Sequence, residues 1–258
     1  MAEPCVSVIM PAHNNAPYIG LAIESVLNQS HKNWELLIVD DASSDGTLKA
    51  AEAHQAEDSR IKVFVMAENQ GAAFCRNFAT KKSKGDYIAF LDADDLWFPE
   101  KLERQLSFMK ARDLAVSYTA YEHIDLNGHK LGCTVRAKSE LTQNEQKTNN
   151  FIGNLTGMYA VSKLGRLMAP EMRKRQDWAL WHKAILSSGI PAQGLDQVLA
   201  AYRISPQSMS AKKLGLIRHN FAFYRQYLGY SWLKSCLWMA VFFVTYFTQR
   251  KRLIRRSN

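Results

Sequence analysis

The sequence has no acidic residue after Asp196, while residues 211–258 carry ten lysines and arginines. The preceding part is close to neutral, so the formal net charge of +9 belongs to the tail. Cysteine is scarce: Cys5, Cys75, Cys133 and Cys236 lie far apart, with no Cys-x-x-Cys pair. That spacing argues against a zinc site and a disulfide framework and suits a reducing, cytoplasmic setting. No signal peptide is expected, because Met1-Ala2-Glu3-Pro4 carries no basic residue and the apolar run 6–10 is only strand length. Internal repeats and low-complexity tracts are absent. A glycine-rich phosphate loop is missing after the first apolar run, where Pro11-Ala12-His13-Asn14 stands instead, and this counts against a nucleotidyltransferase.

What is present is a chain of 258 residues, 47% hydrophobic, able to bury one large core with an appendage. Residues 6–10, 36–39, 61–66 and 87–91 read as buried strands. Helical spacing over residues 18–27, a helix start at Ser44-Asp45-Gly46-Thr47 and a third helix over residues 71–82 separate them. This alternation predicts an α/β fold with a mostly parallel, Rossmann-like sheet flanked by helices. Residues 114–121 and 131–135 read as a hairpin around Asn127-Gly128, residues 138–150 as a polar mobile loop, and residues 154–161 and 195–204 as further strands. A helix is expected from Asp177 to Leu186, ending at Gly189 and Pro191.

The fourth strand delivers Asp92-Ala93-Asp94-Asp95 to a strand-to-helix crevice, where open α/β sheets bind ligands. Three carboxylates crowded there repel one another unless a cation sits among them. A turn with Asp95 as helix cap is the plainer reading of the same residues.

Five motifs in order resemble the family 2 glycosyltransferases over residues 5–205. They are Val8-Ile9-Met10-Pro11-Ala12-His13-Asn14, Ile38-Val39-Asp40-Asp41-Ala42-Ser43-Ser44-Asp45-Gly46-Thr47, Asn69-Gln70-Gly71-Ala72-Ala73-Phe74-Cys75-Arg76-Asn77, Leu91-Asp92-Ala93-Asp94-Asp95 and Gln176-Asp177-Trp178. The resemblance implies a GT-A fold and a metal-dependent, inverting transfer of one sugar from a UDP-sugar. It implies Asp94 as ligand of Mn²⁺ or Mg²⁺, with Asp92 near the ribose and the metal. Asp41 matches the residue that accepts a hydrogen bond from uracil, and His13 stands where an aromatic residue often stacks on the base. Pro11, Ala12 and Asn14 shape the same donor loop, Asp45 is a turn acid, and Arg76 points at the donor phosphates or forms a salt bridge. Asp177 matches the catalytic base, which must be separate from the metal-bound acids because a metal-bound oxygen is a poor proton acceptor. Arg173, Lys174 and Arg175 suit an anionic acceptor or a solvated surface. A non-catalytic nucleotide-sugar or glycan-binding protein of the same fold is the alternative.

The Gln-x-x-Arg-Trp string of the family's processive synthases does not occur, which favours single-sugar transfer. Residues 1–210 read as the catalytic domain, with a nucleotide-binding half up to about residue 112 and an acceptor half over 113–210. Residues 211–258 read as a basic, aromatic helical tail. Between residues 228 and 249 only Lys234 interrupts the apolar run, about 33 Å if helical, marginal for spanning a bilayer. Aromatics between basic residues suit an anionic membrane surface better than nucleic acid. The tail therefore predicts attachment at the cytoplasmic face of a bacterial inner membrane. Overall size and organisation resemble the short bacterial transferases that extend O-antigen, capsule or teichuronic-type repeat units, which implies an undecaprenyl-diphosphate-linked saccharide acceptor.

Overall fold

The computed structural model describes residues 3–172, 174–204 and 213–256. The first part alternates as the sequence predicts: β1 (Val6–Ala12), α1 (Ile19–Leu27), β2 (Trp34–Asp40), α2 (Thr47–Glu57), β3 (Ile61–Val65), α3 (Ala72–Lys82) and β4 (Tyr87–Phe90). There follow β5 (Leu96–Trp97), α4 (Lys101–Ala111), β6 (Val116–Ile124), β7 (Lys130–Val135), β8 (Glu140–Leu141), α5 (Gln143–Thr148), β9 (Met158–Ala160), α6 (Val161–Leu164), α7 (Gln176–Ser188) and β10 (Ala192–Arg203). The tail contains α8 (Lys213–Ala222), a π-helical turn at Phe223–Tyr227, α9 (Trp232–Thr245) and β11 (Ile254–Arg256). The expected boundary at residues 210 and 211 lies outside the described residues.

Strands β3, β2, β1 and β4 lie side by side and all pair in parallel. Each right-handed crossover moves the chain outward from β1 to β3, and β4 then returns to the other side of β1. That reversal opens a crevice at the carboxyl ends of β1 and β4. The strands read as continuous apolar runs because both faces are covered. Val6, Val8 and Met10 of β1 pack with Ile19, Ala22 and Ile23 of α1, whereas Ile9 packs with Cys75 and Ala79 of α3.

The parallel pattern belongs to this first part and to the β6–β10 pair. The remaining ladders, β4–β9, β6–β9, β6–β7, β10–β5, β10–β8 and β7–β11, are antiparallel, so the sheet is mixed. The polar segment 138–150, expected as a mobile loop, contains β8 and α5. Thr142 and Glu145 form a reciprocal capping box there: Thr142 Oγ1 accepts from Glu145 N, and the Glu145 carboxylate accepts from Thr142 N at 3.0 Å. Thr-x-x-Glu is a sequence-level signal for that start, masked by the lack of apolar periodicity around it.

The tail is built onto the part that precedes it. Phe223 and Tyr224 are fully buried in a separate apolar cluster with Met172, Trp178, Ala179 and Met239, and β11 adds an edge strand to β7. Gly229, at φ +66°, breaks the apolar run before α9, whose 14 residues span about 21 Å. Among the described residues no helix is long and apolar enough to cross a membrane.

Candidate active site

Beyond β4 the chain stays beside β1 for one more bond, Leu91 N to Ile9 O at 3.1 Å, and then turns so that Asp95 N reaches Asp92 O. Arg203, at the end of β10 and only 2% exposed, fastens this turn. Its backbone N–H donates to Asp95 Oδ1 at 2.9 Å and its Nε to the Asp94 carbonyl at 2.8 Å. Its Nη1 donates to the carbonyls of Asp125 and Leu126. Asp95 is therefore not the helix cap that the sequence suggested; Glu100 occupies that position before α4. Burial, joined by the charges of Asp94 and Asp92, pushes the Asp95 carboxyl well above its usual range. This buried acid braces the turn from behind.

Asp92 and Asp94 face outward, both half-buried. Burial, with the Asp92 charge as the next contribution, raises the Asp94 pKa to about 6. Among the described residues no group of three or more His, Cys, Asp or Glu side chains can hold a metal ion. Two oxygen donors on one turn do fit Mn²⁺ or Mg²⁺, since such ions are held by one or two carboxylates with the remaining positions filled by phosphates and water.

The opposite wall is laced from three loops. Asn14 (φ +51°) and Ala42 (φ +54°) take left-handed backbone conformations just after β1 and β2. Ser43 Oγ accepts from Asn14 N at 3.0 Å, and Asn14 Oδ1 accepts from Ser44 N at 2.9 Å. Pro11 and Ala12 are buried within β1, and Ala12 contributes its carbonyl to Asp41 N. They shape the crevice through backbone and not through exposed side chains. Asp41, 3% exposed, accepts from the N–H groups of Gln70 at 2.7 Å and Gly71 at 2.8 Å, one on each oxygen. Each oxygen keeps further acceptor capacity. Exposed His13 donates from Nδ1 to the Asp41 carbonyl at 2.7 Å, a contact that needs the proton on Nδ1 and leaves Nε2 free to accept from Asn14 Nδ2 at 3.3 Å. Asp45 accepts from Thr47 N and Ala16 N, the turn role expected of it.

Arg76, on α3, lies across the crevice floor. It donates from Nη2 to Asp92 Oδ1 at 2.5 Å, which realises the salt-bridge alternative among its sequence readings. With the Gln176 amide oriented to satisfy both neighbours, its oxygen accepts from Arg76 Nη1 at 3.2 Å and its nitrogen donates to the Met172 carbonyl at 3.2 Å. Burial opposes the Arg76 charge, but Asp92 and, through its field, Asp177 hold the guanidinium pKa above its usual value. One cation thus pairs with the β4 turn and feels the charge of the first turn of α7.

Asp177, the second residue of α7, is half-buried and accepts from Asn150 Nδ2 at 2.8 Å. Arg175, at the N-cap with φ +67°, turns inward, and its Nε donates to Asn220 Oδ1 on α8 at 2.7 Å. Of the basic run, Arg175 is therefore no part of a solvated patch, Lys174 is half-buried, and Arg173 lies outside the described residues. Sequence reasoning missed Asn150, Arg203 and Asn220. Nothing local marks Arg203 or Asn220; their partners lie 109 and 45 residues away.

A parallel 3-2-1-4 sheet with acids at its reversal point defines a nucleotide-binding enzyme of the α/β class. The family described as "Glycosyl transferase family 2" matches residues 7–166, and the chain belongs to it. It is 40% identical over 224 residues to the putative teichuronic acid biosynthesis glycosyltransferase TuaG of Bacillus subtilis, covering 87% of this chain and 88% of that one. It is 38% identical over 214 residues to the UDP-Glc:alpha-D-GlcNAc-diphosphoundecaprenol beta-1,3-glucosyltransferase WfgD of Escherichia coli, covering 83% and 82%. The fold matches S. aureus TarS 1–349 in complex with UDP-GlcNAc, at a TM-score of 0.70 and 20% identity, over 96% of this chain and 74% of that one. It likewise matches the mannosyltransferase PcManGT of Pyrobaculum calidifontis in complex with GDP-Man and Mn²⁺, at 0.69 and 17% identity, over 96% and 76%. The protein is a glycosyltransferase with a GT-A-like fold, and the TuaG and WfgD relatives are named for teichuronic acid biosynthesis and for glucosyl transfer to a diphosphoundecaprenol-linked sugar.

Proposed function

We propose that the protein is an inverting, metal-dependent transferase that moves one sugar from a UDP-sugar to a saccharide on undecaprenyl diphosphate, in O-antigen, capsule or teichuronic-type synthesis. The observation that carries this reading is the ion pair of Arg76 with Asp92, on the turn that also bears Asp94, with Asp177 near enough to add to the electrostatics of the same guanidinium. A nucleotide sugar lying over the β1 and β4 ends would set its uracil between His13 and Asp41 and its diphosphate toward Asp92 and Asp94. Mn²⁺ or Mg²⁺ held by these two acids would offset the charge that develops on the leaving diphosphate. Asp177 accepts the proton of the acceptor hydroxyl as that oxygen forms its bond to the anomeric carbon and the bond to diphosphate breaks on the opposite face. Asn150, bound to Asp177 Oδ2, leaves Oδ1 to receive the proton. The undecaprenyl-linked acceptor is supported by the 38% identity to a transferase named for such an acceptor.

The outer face of α9 supports attachment at the cytoplasmic side of the inner membrane. Leu233, Leu237, Ala240 and Val244, continued by Phe247 in the π-helical turn Tyr246–Arg250, recur at helical spacing and are all exposed, while Ser235, Met239 and Thr245 face the protein. Lys251, Arg252, Arg255 and Arg256 follow at once and match an anionic bilayer. Purified protein incubated with Mn²⁺, a panel of nucleotide sugars and a synthetic lipid-diphosphate saccharide tests the whole reading, with the product identified by mass. Transfer from a uridine donor with a one-sugar mass increment is expected. Transfer only from a guanosine or thymidine donor, or equal transfer to a short acceptor lacking diphosphate, overturns it.

A further inference from the structure

The inner face of the tail, opposite the apolar stripe, grips the helix that carries Asp177, and it does so within one turn of that residue. Phe223 lies flat on the Trp178 indole, ring centroids 3.9 Å apart at an interplanar angle of 5°, and both side chains are fully buried. Asn220, 2% exposed, takes the Nε–H of Arg175 at 2.7 Å. Arg175 in turn has its guanidinium carbon 6.0 Å from the Trp178 ring centre. The residues immediately before and after the Gln176-Asp177 pair are therefore both held by α8 and the π-helical turn that follows it. A second route runs through α5: Tyr224 donates to the Lys147 carbonyl at 3.2 Å, Trp178 Nε1 donates to the Gln146 carbonyl at 2.5 Å, and Asn150 two residues beyond α5 holds Asp177 itself.

Arg175 also occupies a left-handed conformation, which a residue with a Cβ adopts only when its surroundings hold it there. The partner that holds it is Asn220. Were that bond lost, the N-cap would be free to return to an ordinary extended conformation, and the first turn of α7 would turn with it. Asp177 at the second helical position would shift relative to Arg76 and the β4 turn.

We propose that the tail is a positioning element of the active site: Asn220, through Arg175, and Phe223, through Trp178, fix where the Asp177 carboxylate stands. The inference rests on the reading of Asp177 as the base. Its outcome is a dependence of kcat on residues that touch neither donor nor acceptor, with donor binding, which is built from the loops after β1, β2 and β4, left intact. A carboxylate displaced by a fraction of its contact distance loses proton transfer far faster than the crevice loses nucleotide.

The test is a kinetic comparison of full-length variants with the UDP-sugar and lipid-diphosphate acceptor identified above. Asn220→Ala is expected to lower kcat about tenfold with the donor KM unchanged, and Asn220→Asp, which keeps the acceptor oxygen, to restore most of it. Arg175→Met removes the same bond from the other side without emptying a buried site, so it serves where Asn220→Ala does not fold. The double variant is expected to lose no more than the worse single one, because both break one bond. Wild-type kcat in both single variants overturns the proposal, as does a loss shared equally between kcat and donor KM. Asp177→Asn separates the two readings. If it retains transfer, the base assignment itself fails; if it is inactive while Asn220→Ala and Arg175→Met keep wild-type kcat, only the positioning role fails.

Discussion

Arg76 Nη2 stands 2.5 Å from Asp92 Oδ1, which makes a cation on α3 the nearest counter-charge of the acidic turn after β4. The Arg76 side chain is 10% exposed and that of Asp92 31%, so the pair sits at the crevice floor with one member open to ligand. An arginine so placed fixes the direction of the Asp92 carboxylate before any cation or diphosphate arrives. It also carries the field of Asp177, which lies in a different part of the chain.

Arg76→Lys keeps the charge but loses the fork that spans Asp92 and Gln176. We expect kcat/KM for the donor to fall about tenfold to a hundredfold, with unfolding free energy reduced by about 1–2 kcal/mol, because half-exposed Asp92 recovers water. Donor kinetics and urea titration on the same preparation read both numbers. A variant with unchanged kcat/KM would remove Arg76 from the donor site.

The Asp94 carboxyl titrates at about 6, raised by burial and by Asp92. A carboxylate must lose its proton to hold a cation, so Mn²⁺-dependent UDP binding is expected to weaken as pH falls below about 6, by at most tenfold per unit. For the cation-free protein the sign is opposite. A raised carboxyl pKa contributes stability at low pH that is lost as pH rises through about 6. Calorimetric titration of UDP with Mn²⁺ between pH 5 and pH 8 reads the first effect, and Asp94→Asn should leave a weak, pH-independent residue of binding. Undiminished Mn²⁺-dependent binding in Asp94→Asn would refute Asp94 as ligand.

His182 is buried between Gln143 Nε2 and Tyr227 Oη, each 3.0 Å away, and desolvation lowers its pKa to about 4, aided by the charge of Lys147. Neutral imidazole suits this site, since Nδ1–H donates to the tyrosine oxygen and Nε2 accepts from the amide. The folded pKa lies below the unfolded value, so the stabilisation is fully present above about 6.5 and is lost as pH falls toward about 4. The full span is on the order of 3 kcal/mol. Because Tyr227 follows α8, acid should loosen the tail from α7 and α5 first. Thermal melts of His182→Gln against the parent across this window check it, and a parallel pH dependence in the two proteins would count against the assignment.

The stripe on α9 predicts recruitment to anionic bilayers. Leu237→Ser with Val244→Ser should lower the partition constant for vesicles containing phosphatidylglycerol by at least about a hundredfold, since each buried leucine or valine is worth about 1.5–3 kcal/mol. Neither residue faces the catalytic part, so transfer to a detergent-dispersed acceptor should persist. Equal flotation of parent and variant would assign the stripe another role.

The parallel half of the fold was legible because its strands are buried on both faces and its helices carry an apolar stripe, patterns written within short windows. Residues 18–27, 36–39 and 87–91 fall where the structure puts α1, β2 and β4. The part of the chain after β4 was less legible. Its strands are short, as in β5, β8 and β9, and α5 is polar apart from its capping box, so periodicity had little to act on. Asp95 illustrates the limit at the site: a turn acid by sequence, it is a buried acceptor for Arg203 because β10 returns to the β4 turn over a separation of 108 residues.

The sequence by itself determined the chemistry available: which acids stand at strand ends, and that the tail is basic and aromatic. Local spacing suffices for these, since a strand end and a helix start are set by neighbouring residues. Tertiary structure alone decided which groups share a field or a contact: Arg76 with Asp92 and Asp177, Arg203 with the acidic turn, and the tail with Trp178 beside the candidate base. Those pairings depend on how distant segments close on one another, and long-range closure leaves no periodic mark on the segments that meet.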